Sequence, residues 1–188
     1  MKLLLGVGLL LQVVACLYVP TSLPKQPDRP LKWLELSQFD FKPYILTDMC
    51  VDCRKDHRDD PLFDCSIEFG WKDPNANTTC VCEYQWQWSS ANTTSRILNT
   101  GDMDYLKCEA KTKQLDYFQF KFETMFNPSN FTLMLSHLFK DYKDFPTPEL
   151  ANLFAERNIT LAPLESSDTS LVYFQEGPIE ARIMGATI

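Results

Sequence analysis

Beyond its first fifteen residues the chain has no apolar run long enough to cross a bilayer as a helix, which takes ~20 residues. It has no cluster of lysine or arginine, and its formal net charge is −7, or −8 once a leader carrying Lys2 is removed. A mildly acidic balance without a basic patch argues against nucleic acid and against anionic membranes as partners. Histidine is nearly absent, with only His57 and His137 to serve as a general base. No Gly-x-Ser-x-Gly, His-Glu-x-x-His or P-loop pattern occurs, so the common hydrolase, zinc-protease and nucleotide-binding signatures are missing. No internal repeat of about 20 to 50 residues is visible, which sets aside solenoids and propellers.

What is present begins with MKLLLGVGLLLQVVA: one early cation, an apolar stretch, and small residues at its end. This reads as a secretory signal peptide over residues 1–16, with cleavage after Ala15 or after Cys16 fitting equally. Val13-Val14-Ala15-Cys16 also loosely matches a bacterial lipobox, which would make Cys16 a lipid anchor. Four acceptor sequons, at Asn77, Asn92, Asn130 and Asn158, fall at or beside predicted turns and favour a eukaryotic secretory route instead. The expectation is a secreted, extracellular glycoprotein.

Residues 17–30 hold four prolines and form an extended lead-in, because proline opposes helix and is tolerated only at sheet edges. The remaining 31–188 suit a single domain. A strand is expected near 31–41, followed by a cysteine- and acid-rich loop over 49–65. Alternation is then strong: Cys65, Ile67, Phe69 and Trp71 share one face, and Cys80, Cys82, Tyr84, Trp86 and Trp88 share another, with the turn-rich KDPNANT between them. A second hairpin sets Phe118, Phe120, Phe122 and Phe126 against Phe131, Leu133, Leu135, His137 and Phe139 around Asn127-Pro128-Ser129. One short helix is predicted over 148–156, from Thr147 as N-cap, Pro148, Glu149 and the stripe Leu150, Leu153, Phe154. Strands are expected again near 159–163, 170–175 and 179–184. Half-buried faces of this kind pair by packing two sheets or by closing one, so the predicted fold is all-β: an antiparallel sandwich or barrel with one short helix, stapled by disulfides.

Six cysteines remain in the mature chain if Cys16 is lost: Cys50, Cys53, Cys65, Cys80, Cys82 and Cys108. In an oxidising compartment an even set reads as a disulfide framework. Cys50-x-x-Cys53 with Cys80-x-Cys82 could ligate zinc, but that needs reduced sulfur. A thioredoxin-like role for Cys50-Val-Asp-Cys53 lacks the strand-to-helix context. Cys80 and Cys82 point to the same side of one strand, so each must reach a different element. Either Cys80 or Cys82 is expected to bond Cys108, with the other and Cys65 tied to the Cys50/Cys53 loop.

No catalytic, cofactor or metal residue is assigned. His57 sits in a polar run and reads as a solvated loop residue, while His137 reads as a hydrogen-bonded core histidine. The acid pairs Asp59-Asp60 and Asp102-x-Asp104 read as solvated, although a polymer hydrolase or a weak calcium site would need such groups. Trp33, Trp71, Trp86 and Trp88 could stack on sugars, but alternation sends the last three into the core.

IEFGWKDPNANTTC resembles the aromatic-alternating strand, Asp-Pro turn and Thr-Thr-Cys of small secreted proteins of ascomycete fungi, and FNPSNFTLMLSHLFKDYKDFPTPELANLFAERNITL resembles their later hairpin, helix and Asn-Ile-Thr strand. Such proteins include distant relatives of the Alternaria major allergen family. The resemblance covers roughly half of the mature chain. It implies a cysteine-stapled β-barrel without established enzymatic activity, acting as an effector-like or surface-interaction protein on a host or on the fungus's own surroundings. It also implies that Cys80 and Cys108 match the family's paired core cysteines. The expected function is therefore a secreted, non-enzymatic interaction protein with an extracellular protein or glycan partner. Its specificity is expected in residues 49–64 and 89–104, where irregular sequence concentrates. The alternatives are a carrier of a small apolar ligand in a barrel interior and an extracellular polymer hydrolase.

Overall fold

The computed structural model describes residues 34–89, 105–110, 116–140 and 150–188. After a short 3-10 turn at Leu36–Gln38, the described strands are β1 (Tyr44–Arg54), β2 (Phe63–Asp73), β3 (Thr78–Trp88), β4 (Leu106–Lys107), β5 (Glu109–Ala110), β6 (Tyr117–Asn127) and β7 (Asn130–Lys140). They continue with β8 (Leu150–Thr160), β9 (Ala162–Ser166), β10 (Ser170–Phe174), β11 (Ile179–Ala181) and β12 (Ile183–Thr187). All pairings are antiparallel, and the all-β, disulfide-stapled class read from the sequence holds.

Two sheets form, ordered β5-β3-β2-β1-β10-β9 and β12-β8-β7-β6-β4, with β11 also paired to β1. Two short stretches change sheets. Residues 106–110 pair with β6 through β4 and with β3 through β5, and Cys108 marks the corner. Residues 179–187 pair with β1 through β11 and with β8 through β12. The ladder therefore runs around a closed circuit, and the sandwich is a flattened barrel of the kind in which corner strands join two layers.

The core lies between the layers and is filled by aromatic rings meeting edge to face or tilted. Ring centroids of Trp71 and Phe118 stand 4.8 Å apart, Phe69 and Phe120 5.2 Å, and Trp86 and Phe122 5.5 Å. Such pairs add to the burial of large apolar side chains, and replacing a buried aromatic by alanine costs about 3–5 kcal/mol. The phenylalanine-rich face on which a carrier reading would rest is occupied by these contacts. Among the described residues no helix is long and apolar enough to cross a membrane.

Four local expectations are corrected. No strand forms in 34–41; Leu34, Leu36, Phe39 and Phe41 instead lay their side chains against the core from turn and extended backbone. The strand expected there lies later, because much of the presumed loop 49–65 is the second half of β1. Tyr44 and Leu46 point inward on even numbers, and Met49, Val51 and Cys53 on odd ones. The change of parity occurs at a register shift between Thr47 and Cys50, where Asp48 takes φ 53°. A bulge inserts one residue and reverses which side chains face the core. Only 55–62 remains as the connection to β2.

A bulge also explains Phe126. The register shifts between Phe122 and Thr124, so Met125 is buried and Phe126 is 66% exposed, opposite to the simple alternation. The helix predicted over 148–156 is strand over its described part, 150–156, which belongs to β8. Ala151, Leu153 and Ala155 alternate inward there, and full pairing to β7 outweighs local helix preference. Thr147, Pro148 and Glu149 lie outside the described residues.

Candidate binding face

Strands β1, β2 and β3 present their second face outward, and alternation makes that face polar. The registers place Asp52 beside Ser66 and Ser66 beside Gln85, and in the next row Arg54 beside Asp64 and Asp64 beside Gln87. These six side chains, with Cys65 and Trp86 beneath them, line an open depression of about 680 Å³. Arg54 Nε donates to Asp52 Oδ1 at 2.7 Å, and its Nη1 lies 3.8 Å from Glu165 Oε1 on β9. The hydrogen bond to Asp52 holds the guanidinium pKa up, with the Asp52 and Glu165 charges adding. Gln87 Nε2 donates to Asp64 Oδ1 at 3.0 Å.

The surface so formed mixes one cation, two carboxylates, a hydroxyl and two amides at neighbouring positions. It offers donors and acceptors together, which suits a polar partner rather than an apolar one.

The structure separates the residues singled out by sequence. His57 and Asp59 are exposed in the 55–62 connection, where Asp60 Oδ2 accepts from the His57 backbone N–H at 2.7 Å and shapes a turn. Asp102, Asp104, Asn92 and Trp33 lie outside the described residues. Trp71 and Trp86 are core residues, and Trp88 packs its ring 5.7 Å from that of Phe63. Asn77, Asn130 and Asn158 are all exposed. Asn77 sits in the β2–β3 turn, while Asn158 lies within β8 rather than at a turn, its Oδ1 accepting from Thr132 Oγ1 at 2.7 Å.

His137 is fully buried, as a core histidine should be, but its partner was not anticipated. Nδ1 meets Asp73 Oδ2 at 2.7 Å, and Asp73 Oδ1 accepts from both the backbone N–H and the side-chain amide of Asn75 at 2.8 Å. Asn75 in turn exchanges hydrogen bonds with the backbone of Lys42. The imidazole is stacked against Phe118 at 3.7 Å and Phe139 at 4.9 Å, so the pair is sealed off from substrate. Asp73 was legible only as part of an Asp-Pro turn.

The cysteine framework is corrected in part. Cys53 bonds Cys65 across β1 and β2, and Cys82 bonds Cys108. Cys50 and Cys80 carry free thiols. Cys82, not Cys80, is the partner of the corner cysteine, since the β3–β5 register sets Cys80 opposite Ala110 and brings Cys82 to the corner. Cys80 does not reach the 50–53 stretch because the whole of β2 stands between. The sulfurs of Cys80, Cys82 and Cys108 lie within 4.8 Å of one another, yet two of the three are spent in a bond. A zinc set drawn from Cys50, Cys53, Cys80 and Cys82 is not assembled, because Cys53 is bonded and Cys50 faces outward from a different strand.

No protein-family model matches this chain, and no curated protein and no solved structure matches it either.

Proposed function

We propose that this protein is a secreted, non-enzymatic interaction module that engages a polar extracellular partner, protein or glycan, through the outer face of β1, β2 and β3. The observation that carries this reading is the depression built by Asp52, Arg54, Asp64, Ser66, Gln85 and Gln87. Three adjacent strands fix these side chains in rows, and sites on rigid elements keep their geometry without cost from loop ordering. The connection 55–62 runs from Arg54 of β1 to β2, so one of the two stretches of irregular sequence begins beside the depression, while 90–104 lie outside the described residues.

Three of the four sequons support the same choice of face, and the fourth, Asn92, lies outside the described residues. Asn130 and Asn158 stand on the outer side of the other sheet, on the neighbouring strands β7 and β8, opposite Thr160 and Thr132 respectively. Asn77 is eight residues from Gln85 along β3, a span of ~26 Å. Glycans at these three positions would shield the opposite layer and one hairpin tip while leaving the depression open.

The test is capture from extracellular fluid of a candidate host, and from an array of extracellular glycans, by the purified secreted protein. A Gln85→Ala/Gln87→Ala double variant should lose the captured partner. A Gln119→Ala variant, on the outer side of the other sheet, should retain it. Equal capture by all three proteins would refute the assignment of the face. Material retained only through conversion of a glycan would refute the non-enzymatic reading.

A further inference from the structure

Cys80 and Cys82 stand on the same side of β3 because residues two apart on a strand point the same way. Both face the corner at Cys108. Cys82 is bonded to it, and the Cys80 thiol, only 2% exposed, lies 3.8 Å from the Cys82 sulfur. No sulfur of the three is farther than 4.8 Å from another. The second free thiol, Cys50, offers Cys80 no alternative: it stands on the outer side of β1 opposite Glu68, whereas Cys80 faces inward opposite Trp71.

We propose that Cys108 has two interchangeable partners, and that its bond passes from Cys82 to Cys80 by internal thiol–disulfide exchange. Cys80 gives up its proton and its sulfur attacks the Cys108 sulfur. The Cys80–Cys108 bond forms as the Cys82–Cys108 bond breaks, and the electron pair leaves on the Cys82 sulfur, which takes up a proton. One thiol and one disulfide stand on each side, so no oxidant or reductant is consumed. Attack on the Cys82 sulfur, 3.8 Å away, is the poorer route. It would join residues two apart on one extended strand, ~6.6 Å between Cα atoms, at the far end of the usual disulfide range.

Burial raises the pKa of the Cys80 thiol well above the ordinary cysteine value, which keeps the nucleophile protonated in the closed barrel. Exchange is therefore slow at neutral pH and quickens when the corner opens or the medium turns alkaline. The two isomers tie 106–110 to points one side-chain step apart on β3, and so shift the corner itself along that strand.

The experiment uses the full secreted chain with Cys50→Ala, so that no outer thiol intervenes. Samples held at pH 7 and at about pH 10, where unburied thiols ionise, are quenched in acid, labelled with N-ethylmaleimide under denaturing conditions, and mapped without reduction by tandem mass spectrometry. At pH 7 the Cys82–Cys108 peptide should dominate with the label on Cys80. At about pH 10 the Cys80–Cys108 peptide, labelled on Cys82, should rise at least about tenfold, and Cys80→Ser should abolish it. A single unchanged bond at both pH values overturns the proposal. Independently, Cys82→Ser should be secreted with a Cys80–Cys108 bond, and recovery of that variant folded with both thiols labelled overturns the proposal too. If Cys82→Ser does not fold, the pH comparison decides alone.

Discussion

His137 Nδ1 and Asp73 Oδ2 stand 2.7 Å apart with both side chains at 0% exposure, joining β7 of one sheet to the end of β2 in the other. Asn75 completes the carboxylate's partners from the following turn. Removing one member of such a buried pair strands the other, and the cost is about 3–5 kcal/mol. Asp73→Ala should therefore lower stability by about that amount. The shift should appear as a lower urea midpoint with little change in slope. Asp73→Asn, which keeps a side-chain oxygen for Asn75, should lose less. Equal stability of Asp73→Ala and the parent would show that the pair does not hold the layers together.

Gly70 faces the bulge of β1, and a Cβ placed on it would come within 2.7 Å of Thr47 Oγ1. Gly70→Ala should cost about 1–3 kcal/mol through overpacking. Because the obstruction is one hydroxyl, Thr47→Ala should restore much of the loss when the two changes are combined. A double-mutant cycle in urea measures the coupling, and strict additivity would contradict the contact.

Alkali should unfold this protein early. Burial, with the nearby Asp73 charge, raises the Tyr44 pKa well above its ordinary value, and burial does the same for Cys80. Below the unfolded pKa values, about 8.5 for cysteine and about 10 for tyrosine, both states carry these protons and stability is undiminished. As pH rises beyond them the unfolded chain releases protons that the folded chain still holds, so stability falls until the folded pKa is reached. Tyr44 also donates to the Leu153 carbonyl at 2.9 Å. Tyr44→Phe should thus lose about 1 kcal/mol at neutral pH while showing a shallower decline above about pH 10. Urea unfolding at neutral and alkaline pH distinguishes the two effects. A decline as steep as the parent's would remove Tyr44 from the account.

Where alternation runs unbroken, the chain is legible without coordinates. Cys65 to Trp71, Phe118 to Phe122 and Phe131 to Phe139 all face the core as their spacing requires. Reading failed where a bulge reversed parity, as at Asp48 and between Phe122 and Thr124, since no residue type there announces the inserted position. It failed again in β8, where Ala151 and Ala155 are too small to mark an inner face and Leu150, Leu153 and Phe154 mimic a helical stripe. The binding face was illegible for a different reason. Asp52, Ser66 and Gln85 are ordinary outward polar residues one strand at a time, and only the register of three strands sets them side by side.

The corner at Cys108 and the turn-over at Arg182 act like two hoops around the layers. Neither layer can be peeled from its neighbour without first unpairing a stretch shared by both. Tension applied at Ile188 would unzip β12 from β8 and only then release β11 from β1. Tension at the Cys108 side would stop at a covalent clamp. The molecule thus has a weak seam and a strong one, and a protease or a pulling force would open it from the carboxyl-terminal side.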